Sequence, residues 1–229
     1  MAYIYPTKDA CIQGAEFPAG SFVNMRQLTT GTHMITSTVF NNQATFVSTR
    51  GTTLGIIIRT FFEFDTSGIS VTPTYCKLEL YGYASTAADL IAVRSTIPAA
   101  VDGAITTAHF DAIYDSSTEL AASDGSGAGT LAGVSGLAYS AEQATWIASG
   151  YNALIFNATA LADMVSMDSF KVCVMEYDHD YLDIISLGDS ARSGFYQDLY
   201  SGTSRDPRLY YVAGTAAATD NSVFFGCNF

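Results

Sequence analysis

Charge is what this sequence has least of. Charged residues make up 14% of the 229-residue chain, against about a quarter in an ordinary soluble domain. Lysine and arginine number 10 against 22 acidic residues, a formal charge of −12. So acidic a chain repels phosphate backbones and anionic headgroups, which argues against nucleic-acid or membrane partners. No stretch approaches the roughly 18 apolar residues that a membrane-spanning helix needs. The start, Met1 to Pro6, has neither a basic region nor a long apolar one, so no signal peptide is expected. The four cysteines, Cys11, Cys76, Cys173 and Cys227, show no CxxC or Cys/His metal spacing, and buried free thiols are the default. There is no P-loop, GxSxG elbow or HExxH. With only His33, His109 and His179 available, a histidine base has few candidates. Carboxylate pairs for glycoside hydrolysis can lie far apart in sequence, so 22 acidic residues single out no pair. The expectation is a non-enzymatic protein.

What is abundant is β-forming material. Nearly half the chain is apolar, with 14 tyrosines and 14 phenylalanines. Apolar residues recur with period two, the pattern of half-buried strands. Strands are expected over 9–13, 21–28, 34–40, 54–64, 74–83, 90–93, 153–156, 170–177, 195–200 and 208–212. In the fifth, Cys76, Leu78 and Leu80 face one way and Tyr75, Lys77, Glu79 and Tyr81 the other. Helical pattern is confined to two short stretches, 107–114 and 158–165, the second preceded by Asn157, a good N-cap residue. This predicts an all-β protein, a jelly-roll-like antiparallel β-sandwich with one or two short helices, forming one domain over 1–229. The Gly/Ser/Ala-rich segment 116–136 reads as a surface loop inside that domain.

Few residues stand out as sites. Trp146, with Tyr139 and Tyr151 near it, could stack on a sugar ring; the plainer reading is a core indole. The densest polar cluster follows a strand at Glu176 to Asp183. Asp178, Asp180 and Asp183 offer hard oxygen ligands of the kind Ca²⁺ takes, but without the glycine and final glutamate of an EF-hand. The plainer reading is a solvated turn, and no cofactor is otherwise expected. Outward tyrosines suit protein interfaces. The apolar C-terminal stretch, with Phe224, Phe225 and Phe229, suits packing against a neighbouring subunit in a homo-oligomer.

Three segments together resemble a known family. Pro6-Thr7-Lys8-Asp9-Ala10-Cys11-Ile12 is similar to the first strand of DNRLRE-type domains. Arg59-Thr60-Phe61-Phe62-Glu63-Phe64-Asp65-Thr66-Ser67 resembles their arginine-led strand ending in Phe-Asp. Asp206-Pro207-Arg208-Leu209-Tyr210-Tyr211-Val212 resembles their closing strand. The resemblance implies a carbohydrate-binding-module-like jelly roll in which Arg59 has a structural role, bonding Asp65 or a loop carboxylate. A free-standing module without an export signal looks like tailed-bacteriophage structural proteins, made in the host cytoplasm and carried on the virion. The expected function is that of a capsid decoration or appendage subunit among other virion proteins. The alternative is a glycan-binding module acting on polysaccharide.

Overall fold

The computed structural model describes residues 2–16, 25–35, 39–49, 52–86, 89–99, 103–196 and 204–215. It is an antiparallel β-sandwich with a few short helical segments. The strands are β1 (Ala2–Ile4), β2 (Lys8–Glu16), β3 (His33–Ile35), β4 (Val39–Thr49), β5 (Thr52–Asp65), β6 (Tyr75–Thr86), β7 (Leu90–Arg94), β8 (Tyr151–Ile155), β9 (Ser169–Glu176), β10 (Ser190–Tyr196) and β11 (Arg208–Val212). Between them lie helices α1 (Ser117–Ala121) and α2 (Ala158–Ser166). The first sheet runs β1-β11-β6-β8. The second centres on β5, with β2 and then β3 along one edge. Along the other edge of β5, β4 pairs with its first half and β9 with its second, and β7 follows β9.

Strand β6 joins the two sheets. Residues 75–81 pair with β11 and β8, whereas 82–86 pair with β10 beyond a register shift at Gly194/Phe195. A bulge where a strand changes sheets is the usual way to turn a sandwich corner. At Gly82 a Cβ would lie 1.9 Å from the Ile147 carbonyl oxygen, so the corner closes only over glycine.

The consecutive apolar residues of β5 are explained by burial on both faces. Ile58, Phe62 and Phe64 meet Leu78, Leu80, Phe170 and Phe195 in the core between the sheets. Ile57 and Phe61 point the opposite way, into a second core. That core is roofed by irregular chain, which supplies Phe110, Ile113, Leu120, Leu131, Leu137 and Tyr181. Segment 116–136 is part of this roof, so much of the roofing carries apolar anchors despite its Gly/Ser/Ala composition.

A buried ionic network holds the roof to the sheet. Arg59 lies on the second-core face of β5 and is fully buried. Its Nε and Nη2 donate to the two carboxylate oxygens of Asp180 at 2.8 and 2.6 Å, and its Nη1 donates to the Phe110 carbonyl at 3.1 Å. The Phe110 ring lies 4.4 Å beneath the guanidinium. Burial alone would lower the pKa of Arg59, but the charge and hydrogen bonds of Asp180 outweigh it and raise it. Arg26, also fully buried, donates from Nε to the Asp180 carbonyl at 2.6 Å and places Nη1 3.2 Å from Asp183. Desolvation lowers its pKa, opposed by Asp180 and Asp183. Asp183 sits in left-handed backbone (φ 61°) and gathers four donors: Ser123 Oγ at 2.5 Å and the amides of Asp124, Gly125 and Gly129. Gly129 has no room for a side chain, since a Cβ would meet Glu119 O, Ser123 Cα and Arg26 Nη1 within 2.7 Å.

Several sequence expectations are corrected. Of the strand expected over 21–28, the described residues 25–28 form a helical turn, with the Leu28 amide on Met25 O. The helix expected over 107–114 shrinks to a 3₁₀ turn, Thr107–His109. The strand expected over 34–40 spans the end of β3 and the start of β4, with 36–38 outside the described residues. Strands β1 and most of β4 were not expected. By contrast, β11 and α2 fall where the sequence places them, and the Asn157 side chain caps α2 by accepting from the Ala160 amide.

Removing one member of a buried ion pair strands the other's charge, at a cost of about 3–5 kcal/mol, while replacing both with apolar residues is often neutral. Urea unfolding of Arg59→Met is therefore expected to show a loss of about that size. Arg59→Met combined with Asp180→Leu should recover part of it, the remainder reflecting Arg26, whose Nε lies 3.6 Å from the Asp180 carboxylate. Equal losses in the single and double variants would show that the pair does not act as a unit.

Candidate interaction surface

The outer face of the first sheet carries the densest exposed arrangement of chemically active side chains. The strand register lays them out in rows. Tyr3, Tyr210, Lys77 and Ile155 lie side by side across β1, β11, β6 and β8. The next row is Arg208, Glu79 and Ala153, and the row beyond pairs Tyr81 with Tyr151. Tyr75 and Val212 form the row on the other side of Lys77. The alternation of β6 fixes this face, because Cys76, Leu78 and Leu80 are fully buried on the opposite side.

The rings touch in tilted and edge-on pairs. Tyr3 and Tyr210 have centroids 5.4 Å apart and Tyr81 and Tyr151 5.2 Å, and past the corner, where β6 pairs with β10, Tyr83 and Tyr196 continue the layer at 5.8 Å. Cations lie across them. The Arg208 guanidinium is 4.3 Å from the Tyr3 ring centre and 4.1 Å from that of Tyr151. Arg205 covers Tyr81 and Tyr196 at 5.2 and 5.0 Å, and Lys77 lies 5.2 Å from Tyr210. Each such contact contributes about 0.5–1 kcal/mol at an exposed site, so their main effect is to hold the rings in place. Glu79 sits centrally, bonded to Lys77 at 2.6 Å and Arg208 at 2.7 Å. Burial would raise its pKa, but these two cations hold it below the ordinary carboxylate value. The same contacts raise the pKa of Lys77, chiefly through its hydrogen bond to Glu79. Tyr3, Tyr83 and Ile155 remain about half exposed, at 48, 53 and 56%. Three of the ten basic residues of the chain, Lys77, Arg205 and Arg208, are gathered on this one face.

The residues singled out in the sequence are dispersed. Tyr139 is fully buried, stacked 5.1 Å from Phe170 and donating to Asp163 at 2.7 Å, which corrects its place beside Trp146 and Tyr151 in a sugar platform. Trp146 packs against the inter-sheet core near Phe195. Tyr151 belongs to the outer face, where its hydroxyl donates to the Ser204 carbonyl. Asp178, Asp180 and Asp183 do not converge. Asp178 is exposed, whereas Asp180 and Asp183 are buried against the arginines, and among the described residues no three His, Cys, Asp or Glu gather as a metal set. Arg59 bonds the loop carboxylate of Asp180 rather than Asp65, which accepts from the Ser67 amide and hydroxyl instead. Cys11, Cys76 and Cys173 are buried free thiols, and burial pushes Cys76 up to about 12. Phe224, Phe225, Phe229 and Cys227 lie outside the described residues. What sequence reading missed is the neighbourhood of the outward β6 residues: parity gave their direction, but not the strands that bring Tyr3, Tyr151, Arg205 and Arg208 beside them.

Compared with models of known protein families, the chain matches none, and no curated protein matches it.

The turn that carries Asp180 has its own titratable clamp. Glu176 is buried and caps the π-helical turn Tyr177–Tyr181 by accepting from the His179 and Asp180 amides. The His179 ring lies 2.9 Å from Glu176 and 3.7 Å from Asp189. Burial would lower its pKa, but Glu176, Asp189 and Asp178 together raise it. Stability from this clamp is complete below the unfolded histidine value of about 6.5 and declines as pH rises through the higher folded value. Urea midpoints should fall across that window in the native chain and lose this component in His179→Gln. An unchanged pH profile in the variant would contradict the clamp.

Proposed function

We propose that this chain is a non-enzymatic structural subunit that docks the outer face of its first sheet onto an acidic surface of a neighbouring protein. Its role would be that of a capsid decoration or appendage subunit of a virion. The observation that carries the reading is the tyrosine layer held under Lys77, Arg205 and Arg208. Tyrosine and arginine are the residues most enriched at the energetic centres of interfaces. Tyrosine gives large contact area with few torsions to freeze, and rings already braced by their neighbours lose less entropy on docking. A local collection of cations on a chain of charge −12 favours an acidic partner and disfavours a second copy meeting face to face. The major buried carboxylates, Asp180, Asp183 and Glu176, serve the roof and its turns.

A second reading uses the same half-exposed rings, Tyr3 and Tyr83, as stacking surfaces for a glycan. The two separate in one experiment. Particles that carry the protein, stripped of it, are mixed with purified chain and sedimented, and the chain is applied in parallel to a glycan array. Docking predicts co-sedimentation that weakens at least about tenfold in Tyr3→Glu/Tyr83→Glu, whose charges repel an acidic partner. Wild-type chain that stays strictly monomeric and leaves the particles unbound would contradict it. Array binding abolished by Tyr3→Ala/Tyr83→Ala would favour the glycan.

A further inference from the structure

We infer that Arg208 is a receptor for a single carboxylate, an acidic side chain of the partner protein that meets the guanidinium end-on between the rings of the open sheet face. This rests on the docking proposed above and names the group that Arg208 takes from the partner.

Strand register places Arg208 of β11 directly opposite Glu79 of β6. The guanidinium donates from Nε to Glu79 Oε2 at 2.7 Å, while Lys77 takes the other oxygen, Oε1, at 2.6 Å. Two cations on one carboxylate leave one positive charge in excess. Burial would lower the pKa of Arg208, but the bond to Glu79 outweighs this and raises it, so the charge is permanent. That bond engages Nε alone. Among the described residues, neither Nη of Arg208 makes a hydrogen bond. Arg59, by contrast, has all three of its nitrogens bonded within the protein. The Arg208 side chain is 20% exposed, and neither Nη is sealed from solvent. A fork of two N–H donors therefore stands open on the face.

The fork is set before any ligand arrives. The Tyr3 and Tyr151 ring centres lie 4.3 and 4.1 Å from the guanidinium carbon, and the Tyr151 hydroxyl is itself held on the Ser204 carbonyl at 2.7 Å. A guanidinium fixed at Nε and against two rings has little rotamer freedom left to lose on binding. Its two Nη groups match the two oxygens of a carboxylate, and the neighbouring rings lower the local polarity in which that pair forms. The fork is also recessed, since Tyr3 is 48% exposed beside a cation of much lower exposure. An aspartate or glutamate carboxylate on a slim methylene stem reaches it. A carboxylate fixed to a sugar ring brings the bulk of that ring against Tyr3 first.

The test combines NMR of the arginine side-chain N–H groups with calorimetry on the full chain. The titrants, at about 0.15 M salt, are hexaglutamate, hexaglutamine and an oligogalacturonate of the same charge as hexaglutamate. Hexaglutamate is expected to shift the Arg208 resonances saturably, with Kd on the order of 1 mM for one anchored carboxylate, and hexaglutamine is not. Arg208→Lys keeps the charge and loses the fork, so binding should weaken at least about fivefold. Should that variant fold poorly, Tyr3→Leu, which leaves Glu79 and its cations in place, should weaken binding about threefold. Arg192→Lys, exposed on β10, should change it less than about twofold. No saturable shift at Arg208, equal binding of hexaglutamine, binding of the oligogalacturonate alone, or equal affinity in Arg208→Lys and the native chain would overturn the inference. A chain that takes hexaglutamate at Arg208 but leaves stripped particles unbound would fail the docking reading and leave the receptor standing.

Discussion

The bidentate contact between Arg59 and Asp180 is the constraint on which the rest of this architecture depends. It joins the central strand of one sheet to a turn 121 residues later. Removing two charges from water costs several kcal/mol per ion, and only good geometry with further hydrogen bonds offsets it. Arg59 has two bonds to Asp180, a third to Phe110 O and a ring beneath it, which is the geometry required. The contact does more than hold two residues. Asp180 belongs to the turn that leads into Asp183, and Asp183 collects the amides of the glycine-rich segment. Through these steps a segment of low apolar content is seated over the second core, where Leu120 and Leu131 are buried.

That roof determines which sheet face is left open. A sandwich normally exposes the outer faces of both its sheets. Here the outer face of the second sheet is covered over β5, β9 and β7, so Ile57, Phe61, Cys173 and Met175 are buried instead of solvated. The first sheet keeps its outer face open, and its alternation places tyrosines and cations there. The charge of the chain reinforces the asymmetry, because an otherwise acidic molecule gathers three of its ten basic residues on this one face.

How much of this could be read in the sequence follows the range of the interactions. Local signals read well. Period-two alternation gave the buried and outward faces of β6, the closing strand β11 appears with its expected bounds, and Asn157 marked the start of α2. Segments whose structure is imposed by partners read poorly. Strand β4 contains Asn41, Asn42 and Gln43 and has weak alternation of its own, yet it lies between β5 and β10, which satisfy its backbone on both sides. Strand β1 is three residues long and exists by pairing with β11. The acidic turn resembled a site for Ca²⁺ because a sequence shows carboxylates but not the arginines that will face them. The only hint was the oddity of Arg59 among Ile57, Phe61 and their neighbours, a charge on an apolar face that must find a partner. The candidate surface was half legible, as four outward residues of one strand without their neighbours.

Docking through the open sheet face, and not through the roof, would cover a defined set of tyrosines. Side-chain oxidative footprinting of the chain, free and in its assembled state, measures this directly, because tyrosine reactivity reports solvent access residue by residue. Docking through the sheet face predicts that Tyr3, Tyr81, Tyr83 and Tyr210 become protected on assembly while roof residues such as Tyr114 keep their reactivity. Protection confined to the roof, with the sheet tyrosines as reactive as in the free chain, would contradict it.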